Sequence, residues 1–273
     1  MFLRLLLIRP FLVQAIINKY MTYCLAIALD EGLVFTSDSR TNAGVDQVST
    51  YSKMRTFGVD GARQFVLLTA GNLATTQAVA AQLERDIRER APESLLTVCD
   101  MNEAAEYLGR ISLSQQTKNT GGGATYEASF ILGGQISSRK PMIMMIYPQG
   151  NYITTSEDTP FLQIGESKYG KPILDRILTP KTSLESAAVC ALVSMDSTMR
   201  SNITVGPPLE LLIYRKDSLR LDERVRLTED HSYLRELKKS WDSLIKQAFQ
   251  QLPPIAWATA RDPSADTRNA TFS

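Results

Sequence analysis

Residues 22–38 read TYCLAIALDEGLVFTSD. TYCLAIAL alternates loosely between apolar and small or polar residues, Asp30-Glu31-Gly32 breaks the run, and LVFTSD resumes it. Two short apolar runs around a glycine-containing turn predict a β-hairpin over 22–38. The pattern then repeats. KMRTFGV and QFVLLTAG flank VDGAR, whose Asp60-Gly61 is a strong turn dipeptide, so a second hairpin is expected over 53–71.

Outward from these hairpins the period changes. NLATTQAVAAQLERDIRER sets Leu73, Ala80, Leu83 and Ile87 on one helical face, with Asn72 as N-cap and Pro92 as stop. MNEAAEYLGRISLSQQ repeats the pattern with Ala104, Leu108 and Ile111. TYEASFILGGQI, PMIMMIYPQG and NYITTSE read as a meander turning at Pro148-Gln149-Gly150. Beyond FLQIGES come two helical runs, YGKPILDRIL and SLESAAVCALVSMDSTMRS, one last strand region in ITVGPPLELLIYRKDSL, and a closing helix from near Asp230. Grouped strands and grouped helices predict α+β architecture with antiparallel sheets under helical layers, a four-layer αββα sandwich. A generic α+β domain has the same pattern, and periodicity does not separate the two.

The ends differ in character. MFLRLLLIRPFLVQAIINKY is apolar but broken by Arg4, Arg9 and Pro10, which is poor for a membrane span. It also lacks small residues at a cleavage point. A translation start at Met21 is the first reading, a removable leader the second, a retained anchor the last. The expected organisation is an extension over 1–21, a folded domain over 22–252 and a polar tail over 253–273. Gly121-Gly122-Gly123 reads as a linker, and Met142, Met144 and Met145 as core.

Composition narrows the chemistry. In 273 residues, 30 Lys and Arg balance 29 Asp and Glu, leaving a net charge of +1. This argues against a nucleic-acid binder with a basic face. The three cysteines, Cys24, Cys99 and Cys190, are odd in number and lack CxxC spacing, so a reducing, cytoplasmic setting without disulfides is expected. No zinc-ligand spacing, phosphate loop or dinucleotide turn occurs, and no cofactor or metal is expected. There is one histidine, His231, placed near the start of the last helix as a surface or capping residue. A base other than histidine is therefore indicated.

Met21-Thr22 supplies one. Removal of an initiator methionine would leave Thr22 carrying both a hydroxyl and an α-amine. Such an amine titrates near ~8 and can take a proton close to neutral pH. Threonine with its own terminal amine is a nucleophile–base pair. The hairpin can return Asp38 to Thr22, and Lys53 precedes the next strand. A lysine there would disfavour protonation of the amine, and Asp38 would keep the lysine charged. Gly71, just before a helix, can offer a backbone N–H to an oxyanion. Cys24, two residues into the strand, shares the face of Thr22 but has no terminal amine.

Taken together, TYCLAIALDEGLVFTSDSR, Lys53 and TAGNLATTQAV resemble the proteasome β-subunit family of N-terminal nucleophile hydrolases. MDSTMRSNITVGPPLELLIY is similar to blocks of its bacterial ancestral-β branch. The resemblance runs from Thr22 to the final helix. It implies Thr22 as nucleophile, Asp38 and Lys53 as its supporting pair, and Gly71 at the oxyanion hole. It also carries a serine role onto Ser167 and an aspartate–serine pair onto Asp196 and Ser201, with Ser197 as the competitor of Ser201. It implies a self-compartmentalising threonine peptidase: a homo-oligomer acting on peptides or unfolded protein, with an unfoldase partner possible and no nucleic-acid or membrane partner. A non-catalytic assembly subunit of the same fold and a small-molecule amidase are the alternatives. Retention of Thr22, Asp38 and Lys53 together favours the peptidase over a scaffold.

Overall fold

A computed structural model describes residues 22–42, 48–118 and 126–253. The expectations for 1–21, for Gly121-Gly122-Gly123 and for the tail beyond 253 lie outside the described residues. Twelve strands and five helices follow in chain order among them. The first hairpin forms β1 (Tyr23–Leu29) and β2 (Gly32–Ser37). A short ribbon, β3 (Arg40–Asn42) and β4 (Val48–Thr50), precedes the second hairpin, β5 (Met54–Val59) and β6 (Arg63–Gly71). Helices α1 (Leu73–Arg88) and α2 (Met101–Thr117) follow. The meander is β7 (Ala128–Ile136), β8 (Met142–Ile146) and β9 (Tyr152–Thr154), then comes β10 (Phe161–Gly165). Helices α3 (Lys171–Ile177) and α4 (Leu184–Ser201), strands β11 (Leu209–Arg215) and β12 (Glu223–Leu227), and α5 (Ser232–Gln250) complete the fold.

Two five-stranded sheets result, ordered β10-β1-β2-β11-β12 and β5-β6-β7-β8-β9. Every pairing within them is antiparallel. The period-2 alternation of each strand sorts side chains between two covered faces. On β1, Tyr23, Leu25, Ile27 and Leu29 pack against Leu174 of α3 and Ala187, Ala191 and Met195 of α4. Cys24 and Ala26 point the other way, into a core shared with Met54, Val66, Leu68 and Ile131 of the opposite sheet. On β6, Phe65 and Leu67 meet Val79 and Leu83 of α1 and Leu108 of α2. The layers are therefore helix, sheet, sheet, helix: the αββα sandwich.

Local chemistry explains most boundaries. The Asn72 side chain accepts the Thr75 N–H at 3.1 Å and caps α1. Asp100 caps α2 in the same way, accepting from Asn102 and Glu103. Gly61 supplies the positive φ of 75° that the β5–β6 turn needs. Helix α1 stops at Arg88, before Pro92, because Arg90 turns the chain with φ 53°. The expected single last strand is instead the hairpin β11–β12. ERVRL gave no apolar period because it is exposed at four of its five positions. His231 occupies the N-cap position of α5, but its side chain makes no capping bond. No helix among the described residues is long and apolar enough to cross a membrane.

Phe35 is fully buried between the sheets, and its ring fills the space that a Cβ on Gly133 would need. Replacing Phe35 with alanine is expected to cost about 3–5 kcal/mol, the usual loss for a buried phenylalanine. Urea denaturation monitored by circular dichroism checks this.

Candidate active site

Register brings the site together. Cys24 pairs with Ser37, so the next residue of the returning strand, Asp38, stands opposite Tyr23. Tyr23 also pairs with Gly165, so one step further Glu166 stands opposite Thr22. In the other sheet Met54 pairs with Leu68, which puts Lys53 beside the end of β6 and near Gly71. Strand β1 packs directly across to β6. The start of β1, the end of β2, the start of β5 and the ends of β6 and β10 therefore share one rim of the sandwich.

Asp38 is fully buried there, and its carboxylate accepts three hydrogen bonds. Its Oδ1 takes the Tyr23 N–H at 3.0 Å and the Lys53 ammonium at 2.7 Å. Its Oδ2 takes the Gly206 N–H at 3.3 Å, and its own N–H donates to the Tyr23 carbonyl at 3.2 Å. Lys53, itself buried, is also its ion-pair partner. Burial pushes the Asp38 carboxyl up from the ordinary aspartate range, and the Lys53 charge and the two amide donors pull it back. Lys53 makes a second bond, to the Arg40 carbonyl at 2.7 Å. Both the Tyr23 amide and the Lys53 ammonium end on one oxygen, which ties the cation to the peptide that follows Thr22.

Thr22 is buried to 8% exposure at the head of β1, and its carbonyl accepts the Glu166 N–H at 2.7 Å. Gly165 makes this approach possible. Its φ is 83°, and a Cβ there would lie 2.0 Å from the Thr22 carbonyl oxygen. Gly71 ends β6 with φ 112°, where a Cβ would lie 2.4 Å from the Glu127 carbonyl oxygen. No side chain other than glycine's hydrogen fits that turn. The Gly71 position is exposed on the rim, next to the N-cap of α1.

The remaining expected residues are spread more widely. Ser167 lies one residue past the position opposite Thr22 and is half-buried, and its carbonyl accepts from Gln163. Asp196 faces the outer helical layer, pairing with Arg200 at 3.0 Å and with Lys238 of α5 at 3.8 Å. Ser201 is exposed at the last turn of α4. Cys24 is fully buried with its Sγ on the Thr69 carbonyl, and burial pushes its thiol far above the ordinary range. It is inert where it stands.

Other residues, unmarked by the sequence, close around Thr22. Glu166 is buried and accepts from the Asn202 side-chain amide at 3.3 Å. Asn202 in turn accepts the Thr204 N–H at 3.0 Å and the Thr204 hydroxyl at 2.6 Å, fixing the turn after α4. Arg40 donates to the Ile203 carbonyl at 2.7 Å, with its guanidinium where a Cβ on Gly206 would sit. The segment 202–206 is thus pinned from both ends against Asp38 and Glu166. An N-x-T turn following a helix was visible in the sequence, but the neighbour it would meet was not.

Chemically, the rim offers a buried cation beside a threonine at a strand start, with a backbone turn at Gly71 close by. No group of three or more His, Cys, Asp or Glu residues among the described residues could hold a metal ion. A four-layer sandwich with this arrangement at one rim defines a class, the N-terminal nucleophile hydrolases of proteasome type. The chain belongs to the proteasome subunit family, whose model, described as "Proteasome subunit", matches residues 21–213. Solved structures similar to it include ancestral β-subunits, Anbu. The chain is 48% identical to the Anbu of Pseudomonas aeruginosa, solved as a helical assembly, at TM-score 0.83, covering 86% of this chain and 100% of that one. It is 45% identical to Anbu from Yersinia bercovieri at TM-score 0.82, covering 86% and 99%. It is 41% identical to Anbu from Hyphomicrobium sp. strain MC1 at TM-score 0.80, covering 85% and 99%. Among curated proteins none matches.

Removing either member of the Asp38–Lys53 pair leaves the other buried and unbalanced. Asp38→Asn and Lys53→Met are each expected to destabilise the protein by about 3–5 kcal/mol. The double variant should lose clearly less than the sum of the two. Chemical denaturation of all four proteins checks the coupling.

Proposed function

We propose that the mature chain begins at Thr22 and acts as a threonine peptidase. The observation that carries this reading is the buried Asp38–Lys53 pair tied to the peptide after Thr22. A positive charge at that place favours an ionised hydroxyl and an unprotonated amine on Thr22. In the proposed reaction the Thr22 hydroxyl attacks the substrate carbonyl and its own α-amine accepts the proton. The developing oxyanion is held by the Gly71 N–H. The amine then passes the proton to the leaving nitrogen, giving an ester on Thr22. Water, activated by the same amine, hydrolyses the ester and restores the threonine.

The homology to chains that build a helical assembly supports self-association of this one as well. The outer helical layers are its natural contact surfaces. They carry exposed apolar residues on α5, including Leu244, Ile245 and Phe249. Near-zero net charge leaves little long-range repulsion between copies. Active sites would then face an enclosed or channel-like space, open to unfolded chains or short peptides and to any unfoldase that feeds it.

Thr22→Ala is expected to abolish cleavage of fluorogenic peptides with the fold intact by circular dichroism, while Thr22→Ser keeps part of it. Lys53→Ala should lower turnover by at least a hundredfold, the range for a positioned proton-transfer system. Normal turnover in either alanine variant sinks the reading. Analytical ultracentrifugation should show a concentration-dependent species larger than a monomer. A monomer at micromolar concentration with full peptidase activity would favour a small-molecule amidase instead.

A further inference from the structure

Among the described residues the buried carboxylates are Asp38, Glu166, Asp196 and Glu210. Buried carboxylates are almost always paired with a cation. Asp38 has Lys53, Asp196 has Arg200, and Glu210 has Arg224 at 2.8 Å. Glu166 alone has no lysine, arginine or histidine paired with it among the described residues. Its carboxylate is met by the neutral amide of Asn202.

Its place in the sheet says what is missing. The β10–β1 register, Tyr23 with Gly165, sets Glu166 directly opposite Thr22, and the Glu166 N–H to Thr22 carbonyl bond fixes that pairing. Directly opposite residues of an antiparallel pair send their side chains to the same face, with Cβ atoms about 4.5–5.5 Å apart. The residue opposite Glu166 is the one that gains a positive charge when the chain starts there.

We propose that Glu166 is the counter-ion of the Thr22 α-ammonium and sets the pH at which that amine is released to act as the base. The inference rests on the mature start at Thr22. The amine then lies between charges of both signs. Lys53 and Arg40 approach from the loop before β5 and from β3, and Asp38 from the end of β2. Glu166 approaches from the end of β10, and Asn202 and Thr204 after α4 are neutral. Lys53 is already paired with Asp38. Arg40 donates to the neutral Ile203 carbonyl and keeps its charge. Glu166 therefore supplies the one carboxylate without a cation of its own, and it holds the amine in its protonated, inactive form until the pH rises. Glu166 positions and biases the amine; it does not touch substrate.

The test uses full-length protein processed to a Thr22 start, verified by intact mass, as wild type, Glu166→Gln and Glu166→Asp. Gln keeps the shape and the Asn202 contact but removes the charge. The titration of the α-amine is read in two ways. One is the acid limb of kcat/KM against pH for a fluorogenic peptide. The other is the pH dependence of acylation of the terminal amine by a soluble anhydride, followed by mass, which needs no peptidase activity. In Glu166→Gln both midpoints are expected to move about one to three pH units lower, the range for loss of an adjacent opposite charge. Well below the wild-type midpoint, each unit is a tenfold gain in rate. Glu166→Asp should stay near wild type. Unmoved acylation in a folded Glu166→Gln protein overturns the counter-ion role while leaving the peptidase reading intact. Acylation that shifts in a protein without peptidase activity supports the counter-ion and sinks the peptidase. A mass showing any other first residue overturns both.

Discussion

The contact between Asp38 and Lys53 is a buried ion pair that joins the two sheets of this protein. Asp38 directly follows β2 of one sheet, and Lys53 directly precedes β5 of the other. Most of the inter-sheet core is apolar side chain against apolar side chain, which is tolerant of small slides, with Tyr214 bonded to Gln135 as a further polar bridge. A buried ion pair is not tolerant: moving either charge off its partner exposes it to an uncompensated low-dielectric interior. The pair therefore sets the relative position of the sheets at one rim. Everything assembled there inherits that position, including the head of β1, the turn at Gly71 and the segment pinned by Gly206. Burial of the pair also works against itself, since burial favours a neutral Asp38 and only the lysine and two amides hold it charged. The network is consistent with a rim kept for chemistry at some expense in stability.

Much of this architecture was legible in residues. TYCLAIALDEGLVFTSD announced the first hairpin because a tight turn interrupts an otherwise continuous apolar run. Asn72 announced its helix because a cap needs only a short side chain and the next turn of backbone. Such signals are local, and local signals survive in sequence. The ribbon β3–β4 and strand β12 did not announce themselves. The first is three residues a side, and the second is polar along nearly its whole length, so neither carries a hydrophobic period. The site divides along the same line. Asp38 was reachable from Thr22 through one hairpin. Glu166, Asn202 and Gly206 lie 144 to 184 residues from Thr22 in sequence and meet it only through the pairing of β10 with β1 and the turn after α4. Ser167, reached through the motif, lies one residue past Glu166, which stands opposite Thr22. In a strand pair one residue is a change of face.

The polar partners around Thr22 form a hierarchy that the fold explains. Those on the β2 side are held by charge, and those on the β10 side by backbone. Glu166 is set by an N–H to the Thr22 carbonyl and by the freedom of Gly165 to adopt φ 83°. Asn202 is set by a turn that satisfies its own side-chain oxygen twice. Arg40 locks the next stretch by filling the room left by Gly206.

The edges of the two sheets carry a different lesson. Strand β12 closes one sheet with Glu223, Arg224 and Arg226, and β9 closes the other with three residues. A charged edge and a very short one are both poor templates for a foreign strand. Backbone hydrogen bonding between molecules, the route by which β-rich proteins slide into fibres, is closed off at these two margins. At these margins, encounters between copies are left to side chains, where fit can be specific and reversible, and not to the indiscriminate backbone.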